Sequence, residues 1–178
     1  MNKTQAMSVK TTNAPDMRRE RLKAILKEKS YLHGDFVLSS GERSSVFFDV
    51  KMTSLDPEGA HLAADLILDA IEGQNIRAVG GIAVGACPLV SAICVRSYDR
   101  GAPIPAFYVR KDDKQHGTKK KIEGHAPKKD DRVLIVDDVA TKGGSLLESI
   151  APMKELGCVV AKMMVVVDRE QGAAERLA

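Results

Sequence analysis

The stretch Val133-Leu-Ile-Val-Asp-Asp-Val-Ala-Thr-Lys-Gly-Gly-Ser145 constrains this chain more than any other. Val133 to Val136 is an unbroken apolar run, the pattern of a strand covered on both faces. Asp137 and Asp138 then stand at its carboxyl end, where open α/β sheets bind ligands. Two adjacent carboxylates repel each other, so they suit a place where a diol or a metal meets them. Thr141 to Ser145 leads into a helix. Gly143 and Gly144 let the backbone approach a ligand closely, and the free amides and dipole of a helix start favour a phosphate. Thr141 and Ser145 add hydroxyls. Carboxylates for a diol beside a nest for one phosphate describe a ribose-5-phosphate site. The bland alternative is a tight strand-to-helix turn with solvated aspartates. Neither a P-loop nor a G-x-G-x-x-G fingerprint occurs in the chain.

The rest of the chain predicts the scaffold for that turn. A helix is expected to start near Asn13 to Asp16, with Pro15 early, and to end at His33-Gly34, its apolar face made by Leu22, Ile25 and Leu26. Asp35 to Ser39 and Val46 to Met52 read as two short strands around a turn at Ser40 to Ser44. Asp56-Pro57-Glu58 is a strong helix start, followed by an apolar face of Leu62, Leu66, Ile67, Ala70 and Ile71. Then strands and helices alternate: a strand over Arg77 to Ile82, a helix over Pro88 to Tyr98, a strand over Ile104 to Val109. After the strand at Val133, a helix over Ser145 to Leu156 is closed by Gly157, and a last strand covers Val159 to Val167. Such alternation predicts an α/β, Rossmann-like core with a mostly parallel sheet flanked by helices.

The 178 residues suit one domain, expected over residues 15–178 after a polar, disordered tail over 1–14. Net charge is only +3 but is concentrated: Arg110 to Arg132 holds nine Lys/Arg against five Asp/Glu, and the remainder is about neutral. The same segment is read as a loop of about twenty residues without apolar periodicity, a length that is usually functional. Its charge asks for an anionic partner; the run Lys119 to Lys121 by itself reads as a solvated face. With 4% aromatic residues and no Trp, a base-stacking nucleic-acid module is disfavoured. Cys87, Cys94 and Cys158 match no metal or disulfide spacing and read as reduced thiols of a cytoplasmic protein. No apolar stretch approaches a membrane span.

Four segments resemble the type I phosphoribosyltransferases, and more narrowly the orotate phosphoribosyltransferase family. Leu38 to Gly41, continuing to Phe47-Phe48-Asp49, is similar to that family's N-terminal hood. Val109 to Gly117 is similar to its catalytic loop, Val133 to Ser145 to its phosphoribosyl pyrophosphate motif, and Val166 to Arg169 to its orotate-binding strand end. The resemblance implies a hood over about residues 15–55 and a core over about 56–178.

It also implies roles. Asp137 and Asp138 would take the ribose hydroxyls of phosphoribosyl pyrophosphate. Val139, Ala140, Thr141, Lys142, Gly143, Gly144 and Ser145 would surround its 5-phosphate. Arg110, Lys111, Lys114 and His116 would hold the diphosphate. Lys114 and His116 would act in catalysis with the two aspartates, His116 as a proton donor. Because the loop over 110–127 would reach the neighbouring subunit's site, a homodimer is implied. Arg169 would pair with the orotate carboxylate, Thr141 would lie near the base, and Phe48 and Ser39 would line the hood around it. Mg²⁺ would arrive on the diphosphate, with no direct protein ligand.

The chain departs from the pattern at Gly85-Ala86-Cys87-Pro88, where many relatives carry an acidic residue or a lysine. Gly80 to Ala86 reads equally as close packing or as a diphosphate contact. Relatives usually carry a further strand after the helix near Gln171; as this sequence stops at Ala178, it is expected to be either a fragment or a short form that leaves that sheet edge bare or otherwise covered. The alternatives that stay open are transfer to another base and a non-catalytic ribose-phosphate- or RNA-binding regulator on the same fold.

Overall fold

A computed structural model describes residues 16–37, 41, 43–111 and 121–177. Helix α1 (Met17–Ile25) begins where the Asp16 carboxylate accepts the Arg18 amide at 3.0 Å, and it buries Leu22 and Ile25. A π-helical turn, Leu26–Ser30, prolongs it. The helix therefore stops before His33-Gly34, which instead lie in strand β1 (Tyr31–Val37). Tertiary contacts explain the early stop. The Ser30 hydroxyl is buried in a 2.6 Å bond with Thr53, and Tyr31 turns extended to pair with Phe48 of strand β2 (Arg43–Phe48).

These two strands form a separate antiparallel hairpin, with a register shift between His33 and Phe36. β2 also ends earlier than expected. Asp49 donates its amide to Ser30, and Lys51–Ser54 winds into a short helix, α2. Thr53 and Ser54 are buried there. Gly59 permits this, since a Cβ on it would lie 2.4 Å from the Thr53 carbonyl oxygen. Helix α3 (Pro57–Ala70) starts as expected, with Asp56 accepting the Gly59 amide at 3.0 Å.

The main sheet has the order β5-β4-β3-β6-β7. Its strands are β3 (Ala78–Ile82), β4 (Ala106–Val109), β5 (Ile122–Gly124), β6 (Arg132–Ala140) and β7 (Val159–Asp168). All pairs are parallel except β4 with β5. β5 corrects the reading of 110–131 as loop throughout: Ile122 packs beside Phe107 and Val109, so one apolar residue suffices to anchor a three-residue edge strand.

Helices α1, α3 and α4 (Cys87–Asp99) cover one face, where Leu134 and Val136 are buried. Helices α5 (Gly144–Glu155) and α6 (Ala173–Leu177) cover the other, where Val133 and Ile135 are buried. This two-sided burial is why β6 needs no polar alternation; each such side chain contributes roughly 1.5–3 kcal/mol. α5 ends before Gly157, which adopts φ 72° as expected of a helix stop. A buried Asp65 on α3 ties α4 down through Arg96 at 3.0 Å and Arg100 at 2.8 Å.

Candidate active site

The acid pair is not placed beyond the end of its strand but within it. β6 runs through Ala140, and Asp137 pairs with Val165 of β7. Parallel pairing to a long β7 carries the strand past the apolar run. Asp137 is consequently buried, with 3% of its surface exposed. Burial pushes its carboxyl up to about 7, with the charge of Asp138 as the next cause and Lys111 pulling weakly the other way. Backbone amides compensate the pair: Asp138 N–H donates to Asp137 Oδ1 at 3.0 Å, and Val139 N–H to Asp138 Oδ1 at 2.8 Å. The pair can thus accept hydrogen bonds from a diol, and the buried Asp137 carboxyl holds its proton far more readily than an ordinary aspartate.

Val139 pairs with Val167, and Ala140 with Asp168. The Ala140 side chain is part of the core, so only its backbone faces function; its carbonyl accepts the Arg169 amide at 3.0 Å. The chain then turns through Thr141 and Lys142 to Gly143, whose φ of 74° is left-handed and favours glycine. Gly143 opens α5 without any side-chain cap, so the first-turn amides are left for a ligand. A Cβ on Gly144 would meet nothing within 4 Å, which leaves open space over that backbone. Thr141 and Ser145 are half-buried beside it, and Lys142 is exposed. The arrangement is the glycine turn into a helix start expected from the sequence, a geometry that suits an anion.

Three elements border the acid pair. Loop 83–86, above β3, brings Gly85 so close that a Cβ there would lie 2.9 Å from Asp138 Oδ1. Gly80 and Gly81 answer to close packing: a Cβ would lie 2.3 Å from the Phe107 ring in one case and 2.1 Å from the Val136 carbonyl oxygen in the other. Cys87 follows at the start of α4, half-buried, its thiol pushed up by burial and so uncharged. After β4, Arg110 lies 3.7 Å from Glu123, and Lys111 is exposed with its charge felt at Asp137. After β7, Arg169 is half-buried. Asp168 accepts the Glu170 amide at 2.8 Å instead of pairing with Arg169, whose side chain has no ion pair among the described residues.

In the β1–β2 hairpin, the segment expected to be the hood, Phe48 is half-buried, its ring 5.0 Å from that of Tyr31. Phe47 stacks on Phe36 at 5.4 Å. Neither phenylalanine joins the buried core; β1 offers each of them a ring to stack on. Ser39, Lys114 and His116 lie outside the described residues, as does the tail over 1–14.

Sequence reasoning missed Lys51, read as the middle of a strand. Its ammonium lies 2.8 Å from Asp49 Oδ1. The Asp49 carboxylate raises its pKa, against the effect of burial, and Asp138 raises it further. Only the Asp49-x-Lys51 spacing beside the hood signal could have drawn notice to it.

The pattern of the Phosphoribosyl transferase domain matches residues 52–178. The chain is 41% identical over 165 residues to an orotate phosphoribosyltransferase of Bradyrhizobium sp. (strain BTAi1), covering 90% of this chain and 88% of that one. Its fold is similar to that of Mycobacterium tuberculosis orotate phosphoribosyltransferase, at a TM-score of 0.77 and 34% identity over 89% of this chain and 88% of the other. The same enzyme solved with 5-phospho-alpha-D-ribosyl 1-diphosphate superposes at a TM-score of 0.73 and 31% identity, covering 89% and 87%.

Proposed function

Because the chain belongs to the phosphoribosyltransferase family, and within it to the orotate phosphoribosyltransferases, we propose that it transfers the 5-phosphoribosyl group from phosphoribosyl pyrophosphate to orotate. The products are orotidine 5′-phosphate and pyrophosphate, a step of pyrimidine nucleotide synthesis. The observation that carries this reading is the acid pair of β6 leading directly into the uncapped start of α5, with Arg169 at the end of the neighbouring β7.

In this reading Asp137 and Asp138 accept the ribose 2- and 3-hydroxyls. The amides of Gly144 and Ser145, with the Thr141 and Ser145 hydroxyls, hold the 5-phosphate. Arg169 faces the orotate carboxylate, and Phe48 and Ser39 border the ring. Departure of the diphosphate builds positive charge on the ribose ring and negative charge on the leaving group. The carboxylates oppose the first; Arg110, Lys111, Lys114 and His116 oppose the second, stabilising the transition state more than the ground state. His116 can give the leaving group a proton.

Among the described residues no three His, Cys, Asp or Glu side chains converge as a metal cage. We propose that Mg²⁺ arrives with the diphosphate, where it would supply Lewis-acid stabilisation of the leaving group. We further propose a homodimer in which the 110–127 loop serves the partner's site. The location is the cytoplasm, in keeping with three free cysteines. No helix is long and apolar enough to cross a membrane among the described residues.

The test is pyrophosphate release by the purified protein with Mg²⁺, phosphoribosyl pyrophosphate and a panel of bases. Release with orotate alone is expected; none with orotate overturns the reading. Arg169→Ala should abolish orotate use while sparing any slow reaction with uracil. Two inactive proteins, Lys114→Ala and Asp138→Asn, should regain up to about a quarter of wild-type activity on subunit exchange, since each mixed dimer holds one intact site. No recovery after exchange counts against the shared site.

A further inference from the structure

The segment after β7 folds back against the turn between β6 and α5. The Arg169 amide donates to the Ala140 carbonyl at 3.0 Å, which fixes the entry to that turn. Helix α6 follows and keeps Ala173 buried in one apolar cluster with Ala140 and Leu146. A Cβ on Gly143 would lie 3.2 Å from Leu177 Cδ1 and 3.6 Å from the Cα of Ala173, so α6 backs Gly143 directly. From the same helix Arg176 donates through Nη1 to the Lys142 carbonyl at 3.2 Å. The Arg176 side chain is exposed and has no ion pair among the described residues.

The bond matters because of the peptide it grips. The Lys142–Gly143 peptide is trans, and a trans peptide points its C=O and its N–H in opposite directions. With the carbonyl turned to Arg176 on α6, the Gly143 N–H is turned away from α6. That N–H has no partner among the described residues. The first-turn amides of α5 that follow it are uncapped by any side chain. Two consecutive glycines give the turn little resistance of its own to rotation of this peptide. The restraint has to come from outside the turn, and the contacts that supply it are Arg176 on the carbonyl and Leu177 against Gly143.

We propose that Arg176 is a positioning residue for the phosphoribosyl group: by holding the Lys142 carbonyl it directs the Gly143 N–H to the 5-phosphate, adding that amide to those of Gly144 and Ser145. The proposal rests on the reading of this turn as the 5-phosphate site. Arg176 itself does not touch the substrate. It removes a rotation that the turn would otherwise lose only on binding, so it acts through preorganisation.

The probe is ribose 5-phosphate, which carries the 5-phosphate and no diphosphate. Its calorimetric affinity for the full chain is measured beside the KM for each substrate, inhibition by pyrophosphate with Mg²⁺, and the unfolding midpoint. Arg176→Ala should weaken ribose 5-phosphate and raise the KM for phosphoribosyl pyrophosphate by about three- to tenfold, the effect of one net hydrogen bond. Pyrophosphate inhibition, the KM for orotate and the unfolding midpoint should hold. Arg176→Lys, which keeps a donor on a flexible stem, should recover part of the loss. Unchanged ribose 5-phosphate affinity in Arg176→Ala overturns the proposal. So does an equal rise in the KM for orotate, the mark of a loosened α6 that releases Arg169 as well. A difference from wild type that vanishes in about 0.5 M salt also overturns it, since that reports the charge alone. No binding of ribose 5-phosphate by the wild type removes the 5-phosphate site and the proposal with it. If the wild type binds ribose 5-phosphate but uses no orotate, the functional reading fails on its own, and the calorimetry still decides the role of Arg176.

Discussion

Asp138 rides on a nine-residue strand paired on both sides, whereas Phe48 rides on a hairpin whose strands, among the described residues, pair only with each other. Around Asp138, apolar side chains are buried on both sheet faces and backbone amides meet the carboxylates. Around Phe48, two ring stacks and the Ser30–Thr53 bond do the holding, while Val37 and Met52 stay exposed. An isolated hairpin of two strands is marginal in water. The difference teaches where rigidity is needed. Two like charges can be kept adjacent only by a scaffold that does not relax, so the acid pair belongs to the central sheet. A planar base needs contact on its faces, which a softer hairpin can supply and release.

The widest separation between the two regions should appear in activity. Asp138→Asn is expected to lower kcat/KM by about 10²–10³-fold, while Phe48→Ala should lower it by about tenfold, mainly through the KM for orotate. Steady-state kinetics that reversed this order would break the comparison.

Two glycines four residues apart sharpen it. Gly81→Ala drives a Cβ against the Val136 carbonyl oxygen and should cost roughly 1–3 kcal/mol of stability in denaturant unfolding. Gly85→Ala presses only on the Asp138 carboxylate; about a tenfold loss of kcat/KM with an unchanged unfolding midpoint is expected.

The burial of Asp137 should also be visible in the pH dependence of stability. Its carboxyl titrates at about 7 in the folded protein against an ordinary 3.8. The folded state therefore prefers the protonated form. The stabilisation this brings is whole below the ordinary value and is lost as pH rises through about 7. Thermal midpoints across that window should fall for the wild type and fall less for Asp137→Asn; equal slopes would remove the carboxyl from the explanation. The smallest effect belongs to the hood: Phe36→Leu removes one ring stack and should cost about 0.5–1.5 kcal/mol, read as a local rise in hydrogen exchange across β1 and β2.

Legibility in the sequence followed how local each cause was. Asp56-Pro57 marked the start of α3 and Gly157 the end of α5, because a cap and a stop are settled within a few residues. The hood was read poorly. His33-Gly34 resembles a helix stop, yet the stop came at Ser30 through Thr53, which lies 23 residues away. Lys51 continues an alternating pattern from Val46, yet it belongs to a helix, because Asp49 turns back to Ser30. β5 escaped notice since Ile122 is a single apolar residue, and its partner Val109 lies on the far side of the basic segment.

The sequence by itself determined the chemistry of the phosphoribosyl half of the site. An apolar strand, two acids and a glycine turn are contiguous, and their geometry follows from the backbone rules of one strand-to-helix junction. Only the tertiary structure decided how deep that acid pair lies and what faces it. β7 extends β6 past Val136 and so buries Asp137, β3 brings Gly85 against Asp138, and α2 carries Lys51 to where the charge of Asp138 acts on it. Burial and charge act through space, and the residues that supply them here lie 28 to 87 positions away in the chain.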